Sequence, residues 1–217
     1  MTPLRILIVD DHAVVRRGVR SLLESHDGWE IAGEATNGRE AVDLAKRLQP
    51  DIVVMDLTLP ELNGLEATRQ ILKDSPRSEV LVLTMHHSEE LARDVLQAGA
   101  RGYVLKSDAD HSLIAAIESL REHKPFLTST VTEFVLDDYR RRGEADEDGA
   151  AHTTVTARER EIIQLLAEGK SNKEAASALG ISVKTVEAHR ASVMRKLRLR
   201  SVSDLVRYAI RNKIIQP

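Results

Sequence analysis

Short β-branched runs alternate with amphipathic stretches along the first 125 residues of the chain. The predicted strands are Leu4–Val9, Glu30–Glu34, Ile52–Met55, Val80–Thr84 and Gly102–Leu105. All but the second are nearly all apolar, as is typical of strands buried on both faces. The predicted helices are Ala13–Ser25, Gly38–Leu48, Leu65–Lys73, Glu89–Ala98 and Asp110–His123. This alternation predicts a doubly wound α/β domain with a five-stranded parallel sheet.

The pattern changes after residue 125. Thr128–Arg142 has the spacing of another helix, and residues 143–152 are acidic and rich in Gly and Ala, which indicates a flexible linker. Further helices are predicted at 157–168, 172–179, 183–197 and 202–212, with N-caps at Thr156, Ser171, Ser182 and Ser201. We therefore predict three regions: an α/β domain over 1–125, a linker over 126–152 that is partly helical, and an all-α four-helix domain over 153–217.

The net charge differs sharply between these regions. Residues 1–130 carry 15 basic and 21 acidic side chains, residues 131–150 carry 3 and 7, and residues 151–217 carry 13 and 6. The overall formal charge of −3 therefore conceals a C-terminal region of net charge +7. A basic helical domain is typical of proteins that bind nucleic acid. The low aromatic content, with one Trp, three Tyr and two Phe, argues against an RNA binder that stacks bases.

Composition also excludes several classes of protein. No apolar run approaches the roughly 18 residues that a membrane span needs, so we expect no membrane partner. The N-terminus lacks a signal-peptide pattern, which predicts a cytoplasmic location. The chain has no cysteine, which excludes disulfides, zinc ribbons and thiol chemistry.

Polar side chains follow the ends of four predicted strands. Asp10 and Asp11 follow the first strand, Asp56 follows the third, Thr84 ends the fourth and Lys106 follows the fifth. Parallel strands end at one edge of a sheet, so these side chains should converge there. Three carboxylates repel one another unless a cation neutralises them, and oxygen-only ligands suit Mg²⁺. The hydroxyl and the ammonium suit phosphoryl oxygens. Each residue alone has a simpler reading, such as Asp11 capping the first helix.

Residues 4–125 resemble the receiver domain of bacterial two-component response regulators. The matching strings are Ile8-Val9-Asp10-Asp11-His12, Val54-Met55-Asp56-Leu57-Thr58-Leu59-Pro60 with Gly64, Val82-Leu83-Thr84, and Gly102-Tyr103-Val104-Leu105-Lys106. The resemblance implies a flavodoxin-like sheet of order 2-1-3-4-5. It also implies that a sensor histidine kinase phosphorylates Asp56.

The same resemblance implies a role for each neighbouring residue. Mg²⁺ would be held by Asp11, Asp56 and the Thr58 carbonyl, with Asp10 supporting the metal's water ligands. Lys106 and Thr84 would hold the phosphoryl oxygens, and Thr84 and Tyr103 would form the switch pair. The receiver would assist only its own phosphotransfer and dephosphorylation, so we do not expect an enzyme in the usual sense.

Two alternatives compete with this interpretation. A hydrolase of the haloacid-dehalogenase type needs a second Asp two residues after the nucleophile, where this chain has Thr58. A vestigial receiver on a constitutive DNA-binding or interaction module stays open, although the intact residue set argues against it. One further departure is Ser107, where many receivers have a proline after a cis peptide bond; a cis bond before a non-proline residue costs about 2.5–4 kcal/mol.

Residues 172–191 have the spacing of a helix-turn-helix, in which the second helix enters the major groove of DNA. Val186, Val193 and Leu197 should face inward on that helix. The side chains expected to read or approach the groove are Lys184, Thr185, Glu187, Ala188, Ala191 and Arg195. The candidates for phosphate contacts are Lys173, Arg190, Lys196, Arg198 and Arg200.

The segment 153–215 resembles the LuxR-type domain of NarL/FixJ-family regulators. The matching strings are Thr156-Ala-Arg-Glu159, Gly169-Lys-Ser-Asn-Lys-Glu174, Thr185-Val-Glu-Ala-His189 and Lys196-Leu197. The resemblance implies a homodimer on a two-fold site in double-stranded DNA, with the last helix at the dimer contact and RNA polymerase as a candidate partner. Glu187 departs from the basic residue that some members have there, and its carboxylate could accept a hydrogen bond from a cytosine amino group.

Overall fold

A computed structural model describes residues 2–85, 88–128, 131–132, 155–212 and 214–215. The chain divides into two compact units: Met1–Leu59 with Gly64–Asp148, and Pro60–Asn63 with Gly149–Pro217. Each unit has its own hydrophobic core. Within the described ranges, no helix has the length and apolar character needed to cross a membrane.

The first unit is built on a parallel sheet. Its strands are β1 (Leu4–Val9), β2 (Trp29–Ala35), β3 (Ile52–Met55), β4 (Glu79–Thr84), β5 (Gly102–Leu105) and β6 (Phe126–Leu127). The strand order is β2-β1-β3-β4-β5-β6 and every neighbouring pair is parallel. The predicted five strands and their order are confirmed, with β6 added at the edge.

Helices connect the strands of the first unit. They are α1 (Ala13–Glu24), α2 (Gly38–Leu48), α3 (Gly64–Asp74), α4 (Glu89–Gln97) and α5 (Ala109–Arg121), and a 3₁₀ turn, Lys106–Asp108, precedes α5. These bounds differ from the predicted ones by at most two residues. One core cluster joins the central strands to α1 and α5 through fully buried residues such as Ile6, Leu23 and Ile117. This rigid, apolar sheet holds the strand ends, where the polar residues lie, in fixed positions.

Four helices form the second unit. They are α6 (Ala157–Ala167), α7 (Asn172–Leu179), α8 (Val183–Lys196) and α9 (Val202–Arg211). All four predicted N-caps are confirmed, because each side chain accepts a hydrogen bond from the backbone three residues later. Gly180 ends α7 with φ +63°, a left-handed conformation that glycine adopts without steric cost. Of the predicted helix Thr128–Arg142, residues 131–132 are helical; most of it, and the predicted linker 143–152, lies outside the described residues.

Candidate functional sites

Asp10 and Asp56 lie side by side because β1 and β3 pair in register. Val9 is opposite Met55 in this pair, and the next residue of each strand is the aspartate. The backbone N–H of Asp56 donates to the Val9 carbonyl at 2.9 Å, which extends the ladder by one more bond. Both residues are buried, with 3% and 4% of their surface exposed. The sheet therefore holds two carboxyl groups next to each other in a largely water-excluded position.

Lys106 bridges these two carboxyl groups. Its Nζ lies 2.6 Å from Asp10 Oδ2 and 2.7 Å from Asp56 Oδ2. Burial raises the pKa of Asp56 above its ordinary value, although the ammonium of Lys106 opposes that effect. Burial by itself would lower the pKa of Lys106, but the two carboxylates outweigh it and raise that pKa. The Lys106–Ser107 peptide bond is trans, since the described residues contain no cis peptide bond.

Asp11 and His12 complete the cluster on its exposed side. His12 Nδ1 lies 2.7 Å from Asp11 Oδ1. One ligand atom from each of Asp10, Asp11, His12 and Asp56 lies within 4.8 Å of the others. We call these four residues the carboxylate–histidine cluster.

This cluster fits a divalent cation. Three carboxyl groups face one ammonium, so the ionised site carries an excess of negative charge in a partly buried position. Asp56 and Asp10 each have one carboxylate oxygen directed to Lys106 and a second oxygen with other partners. Hard oxygen donors of this kind suit Mg²⁺.

The remaining predicted residues of the first unit occupy the same edge of the sheet. Thr58 N–H approaches Asp56 Oδ1 at 3.5 Å, and the Leu57 N–H donates to the same oxygen at 2.7 Å. Thr84 is fully buried and lies opposite Leu105, the residue before the bridging lysine. Tyr103 is 1% exposed, and burial raises its pKa to about 12. The ring is therefore in the interior beside the strand that carries Thr84.

Three residues that shape this site have no assigned role in the sequence analysis. His12 and Gly64 occur only within the strings that resemble a receiver, and the place of His12 in the cluster depends on the turn into α1. Arg16 donates from its guanidinium to the Asp10 carbonyl at 2.8 Å and pairs with Glu34 of β2 at 3.2 Å. Gly64 packs so closely on the Asp56 backbone that a Cβ there would overlap the Asp56 carbonyl oxygen. Arg16 lies four residues after His12, one helical turn further along, and this spacing could have indicated that its side chain lies near the same strand end.

The second unit contains the predicted helix-turn-helix. Helix α7 and helix α8 are joined by the three residues Gly180–Ser182. Val186 and Val193 of α8 are 0% and 1% exposed, and Leu197 packs against the same core. The predicted inward face of α8 is therefore confirmed.

Most of the predicted DNA-contact residues are exposed. Those that are exposed are Lys173, Lys184, Glu187, Ala188, Ala191, Arg195, Arg198 and Arg200, whereas Thr185, Arg190 and Lys196 are half-buried. Lys196 has a partner within the unit, because its Nζ lies 2.8 Å from the buried Glu159. Burial would raise the pKa of Glu159, but hydrogen bonds from Lys196, Thr156 and Ser192 lower it to about 2. Lys196 thus ties the end of α8 to the start of α6.

A sheet with this acidic edge, followed by a basic helix-turn-helix unit, defines the two-component response regulators. The family model described as response regulator receiver domain matches residues 6–118, and the one described as bacterial regulatory proteins, luxR family, matches residues 153–209. The chain belongs to the NarL/FixJ-type response regulators, with a receiver and a LuxR-family DNA-binding domain.

Full-length relatives share this arrangement. The chain is 39% identical over 218 residues to the oxygen regulatory protein NreC of Staphylococcus carnosus, with 98% of this chain and 99% of that protein covered. It is 37% identical over 212 residues to the transcriptional regulatory protein LiaR of Bacillus subtilis, with 98% and 99% covered.

Solved structures of such regulators are also similar. A LuxR-family response regulator from Aurantimonas sp. SI85-9A1 is 38% identical with a TM-score of 0.60, over 64% of this chain and 99% of that one. RcsB of Salmonella enterica serovar Typhimurium, bound to promoter rprA in the presence of phosphomimetic BeF3−, is 26% identical with a TM-score of 0.61, over 95% and 98%.

Proposed function

We propose that Asp56 accepts a phosphoryl group from a sensor histidine kinase and that this modification controls sequence-specific DNA binding by α8. The observation that carries the proposal is the position of the Asp56 carboxyl group, which is buried at the sheet edge and paired with Lys106 at 2.7 Å. Of the predicted acidic residues at this edge, Asp56 is the one flanked by both the lysine and successive backbone N–H groups.

The transfer step follows from the groups around Asp56. A carboxylate oxygen of Asp56 forms a bond to phosphorus while the bond from phosphorus to the kinase imidazole nitrogen breaks, and that nitrogen keeps the electron pair. Lys106 and Thr84 donate hydrogen bonds to the phosphoryl oxygens, which hold the group and neutralise its charge. Asp11, Asp56 and the Thr58 carbonyl would hold Mg²⁺, with Asp10 supporting its waters. When bound, Mg²⁺ supplies further neutralisation of charge on the transferring group.

The phosphoryl group would then shift a two-state equilibrium of the receiver. Moving such an equilibrium from 1:99 to 99:1 needs about 5.5 kcal/mol of differential stabilisation. New charge-assisted hydrogen bonds from Lys106 and Thr84, at roughly 1.5–3 kcal/mol each, supply a large share. Thr84 moves toward the phosphoryl group, and the ring of Tyr103, which lies in the interior, adjusts to the space that Thr84 leaves.

The output we propose is a homodimer on a two-fold site in double-stranded DNA, from which the chain regulates transcription, with RNA polymerase as a candidate partner. A solved RcsB–DNA complex, similar to this chain over 95% of its length with a TM-score of 0.58, supports DNA as the target. The basic surface of the second unit adds electrostatic attraction to the phosphates.

Sequencing of bound genomic fragments tests this function. Full-length protein is mixed with sheared genomic DNA, with and without acetyl phosphate and Mg²⁺, and the same is done with Asp56→Asn. We expect the wild type to enrich discrete sites that depend on the phosphodonor, and Asp56→Asn to lack that dependence. Equal enrichment of the same sites by wild type with and without the donor, once phosphorylation is verified, would instead support the constitutive alternative.

A further inference from the structure

An imidazole nitrogen lies among the three carboxyl groups of the receiver edge. His12 Nδ1 is 2.7 Å from Asp11 Oδ1 and 3.3 Å from Asp10 Oδ1. One ligand atom from each member of the carboxylate–histidine cluster lies within 4.8 Å of the others. His12 is therefore close enough to share one metal ion with all three aspartates.

The imidazole of His12 is not needed to build the helix that follows it. His12 is the N-cap of α1, with extended backbone angles of φ −86° and ψ 109°, and its side chain makes no capping hydrogen bond. Its backbone provides the local contacts, since its N–H donates to Asp10 Oδ1 at 2.8 Å and its carbonyl accepts from Arg16 at 3.1 Å. The side chain is 57% exposed, so it can adjust toward an ion without disturbing the core.

We propose that His12 is an additional metal ligand, which raises the affinity of this receiver for first-row transition-metal cations and leaves its affinity for Mg²⁺ unchanged. The inference rests on the proposed function, because it takes the aspartates to hold a divalent cation. Mg²⁺ prefers oxygen ligands and retains several waters, so it gains little from an imidazole. Transition-metal cations such as Co²⁺, Ni²⁺ and Zn²⁺ bind imidazole well, so a nitrogen ligand raises their affinity selectively.

Titration calorimetry with two ions tests the assignment on the full-length chain. Mg²⁺ and Co²⁺ are titrated separately into wild type, His12→Ala and His111→Ala. His111 is the matched control, because it is 86% exposed and 3.2 Å from an aspartate but lies outside the cluster. We expect His12→Ala to weaken Co²⁺ binding by roughly tenfold or more, the size seen when a ligand sphere is perturbed, and to leave Mg²⁺ binding unchanged. His111→Ala should change neither.

Proton NMR of the Co²⁺-loaded protein gives a second readout, which reports on the ligand itself and not on affinity. A metal-bound imidazole gives strongly shifted proton signals, and their loss in His12→Ala but not in His111→Ala supports the proposal. Equal weakening of both ions in His12→Ala, or unchanged Co²⁺ affinity, would overturn it. The proposed function fails separately: His12-dependent Co²⁺ binding without any phosphoryl adduct on Asp56 would support the metal ligand and contradict the phosphorylation site.

Discussion

At the scale of single residues, the sheet edge that carries Asp10, Asp56 and Lys106 buries charged groups, and burial of the Asp56 charge lowers the stability of the fold. Asp10 and Asp56 are buried within reach of the same ammonium, and burial raises the pKa of Asp56 despite that partner. A carboxyl group whose pKa is raised in the folded state destabilises the fold when it is ionised. The ionised Asp56 carboxylate that the proposed reaction needs therefore lowers the stability of the folded protein.

Neutralising Asp56 should accordingly stabilise the protein. We expect Asp56→Asn to raise the free energy of unfolding of the first unit at pH 7 without divalent cations, as measured by urea denaturation. Because the wild-type carboxyl group takes up its proton more readily when folded, the difference should shrink as the pH falls through the raised pKa toward the ordinary value of 3.8. A clear loss of stability in Asp56→Asn would show that the pair with Lys106 outweighs burial.

At the scale of secondary-structure elements, close packing positions the acceptor. The start of α3 meets the end of β3 at Gly64, whose N–H donates to the Leu57 carbonyl at 2.9 Å. A Cβ at this glycine would overlap the backbone of Asp56, which cannot move without moving the acceptor itself.

Alanine substitution at two glycines tests this contact. We expect Gly64→Ala to destabilise the fold by at least roughly 2–3 kcal/mol, because the clash is with backbone. Gly18→Ala, in α1, is the control: no atom lies within 4 Å of its added Cβ, so the better helix propensity of Ala should stabilise by roughly 0.5–1 kcal/mol. Thermal denaturation of both variants measures the difference, and similar effects at the two positions would contradict the packing argument.

A second contact between elements holds helix α8. Glu159 at the start of α6 accepts hydrogen bonds from Ser192 and Lys196 of α8, at 3.0 and 2.8 Å. Glu159 is 3% exposed, whereas Glu174 occupies the same capping-box position of α7 at the surface. A comparison of the two glutamates therefore distinguishes the contribution of the capping box from that of the contact between α6 and α8.

We expect Glu159→Gln to destabilise the second unit by roughly 1–3 kcal/mol at neutral pH, and Glu174→Gln to have a smaller effect. The pKa of Glu159 is about 2 against an ordinary 4.5, so its contribution is complete above 4.5 and is lost as the pH falls toward 2. Denaturation followed by circular dichroism at several pH values should show the gap between wild type and Glu159→Gln closing over that range. A gap that is independent of pH would contradict the assigned cause.

The helices and strands could be predicted from the sequence more completely than the contacts between their side chains could. The apolar strands and the four N-caps follow local patterns, which is why the predicted strand bounds and cap residues agree closely with the structure. Strand β6 was missed because it has two residues and is stabilised by pairing with Gly102 and Tyr103, far back in the chain. Strand ends predicted that Asp10, Asp56 and Lys106 meet, but neither the bridge through Lys106 nor the Lys196–Glu159 pair, 37 residues apart, has a local signal.

At the scale of the whole molecule, an acidic receiver is joined in sequence to a basic DNA-binding unit. We expect Lys184→Ala and Arg195→Ala to weaken binding to an enriched duplex, since both side chains are exposed on α8. Arg198→Ala, at a predicted phosphate contact, should in addition lower the slope of log affinity against log salt by about 0.9, or twice that in a dimer. Fluorescence anisotropy measures both effects, with Lys124→Ala in the first unit as the charge-matched control. Unchanged affinity in both α8 variants would mean that another face of the helix meets DNA.

Asp56 is the proposed phospho-acceptor, and intact-mass spectrometry can detect its phosphorylation. Wild type and Asp56→Asn are incubated with acetyl phosphate, with and without Mg²⁺. We expect a single phosphoryl adduct on wild type that requires Mg²⁺ and is absent from Asp56→Asn. An equal adduct on folded Asp56→Asn would contradict it, as would a folded wild type that stays unmodified by both acetyl phosphate and a phosphorylated sensor kinase.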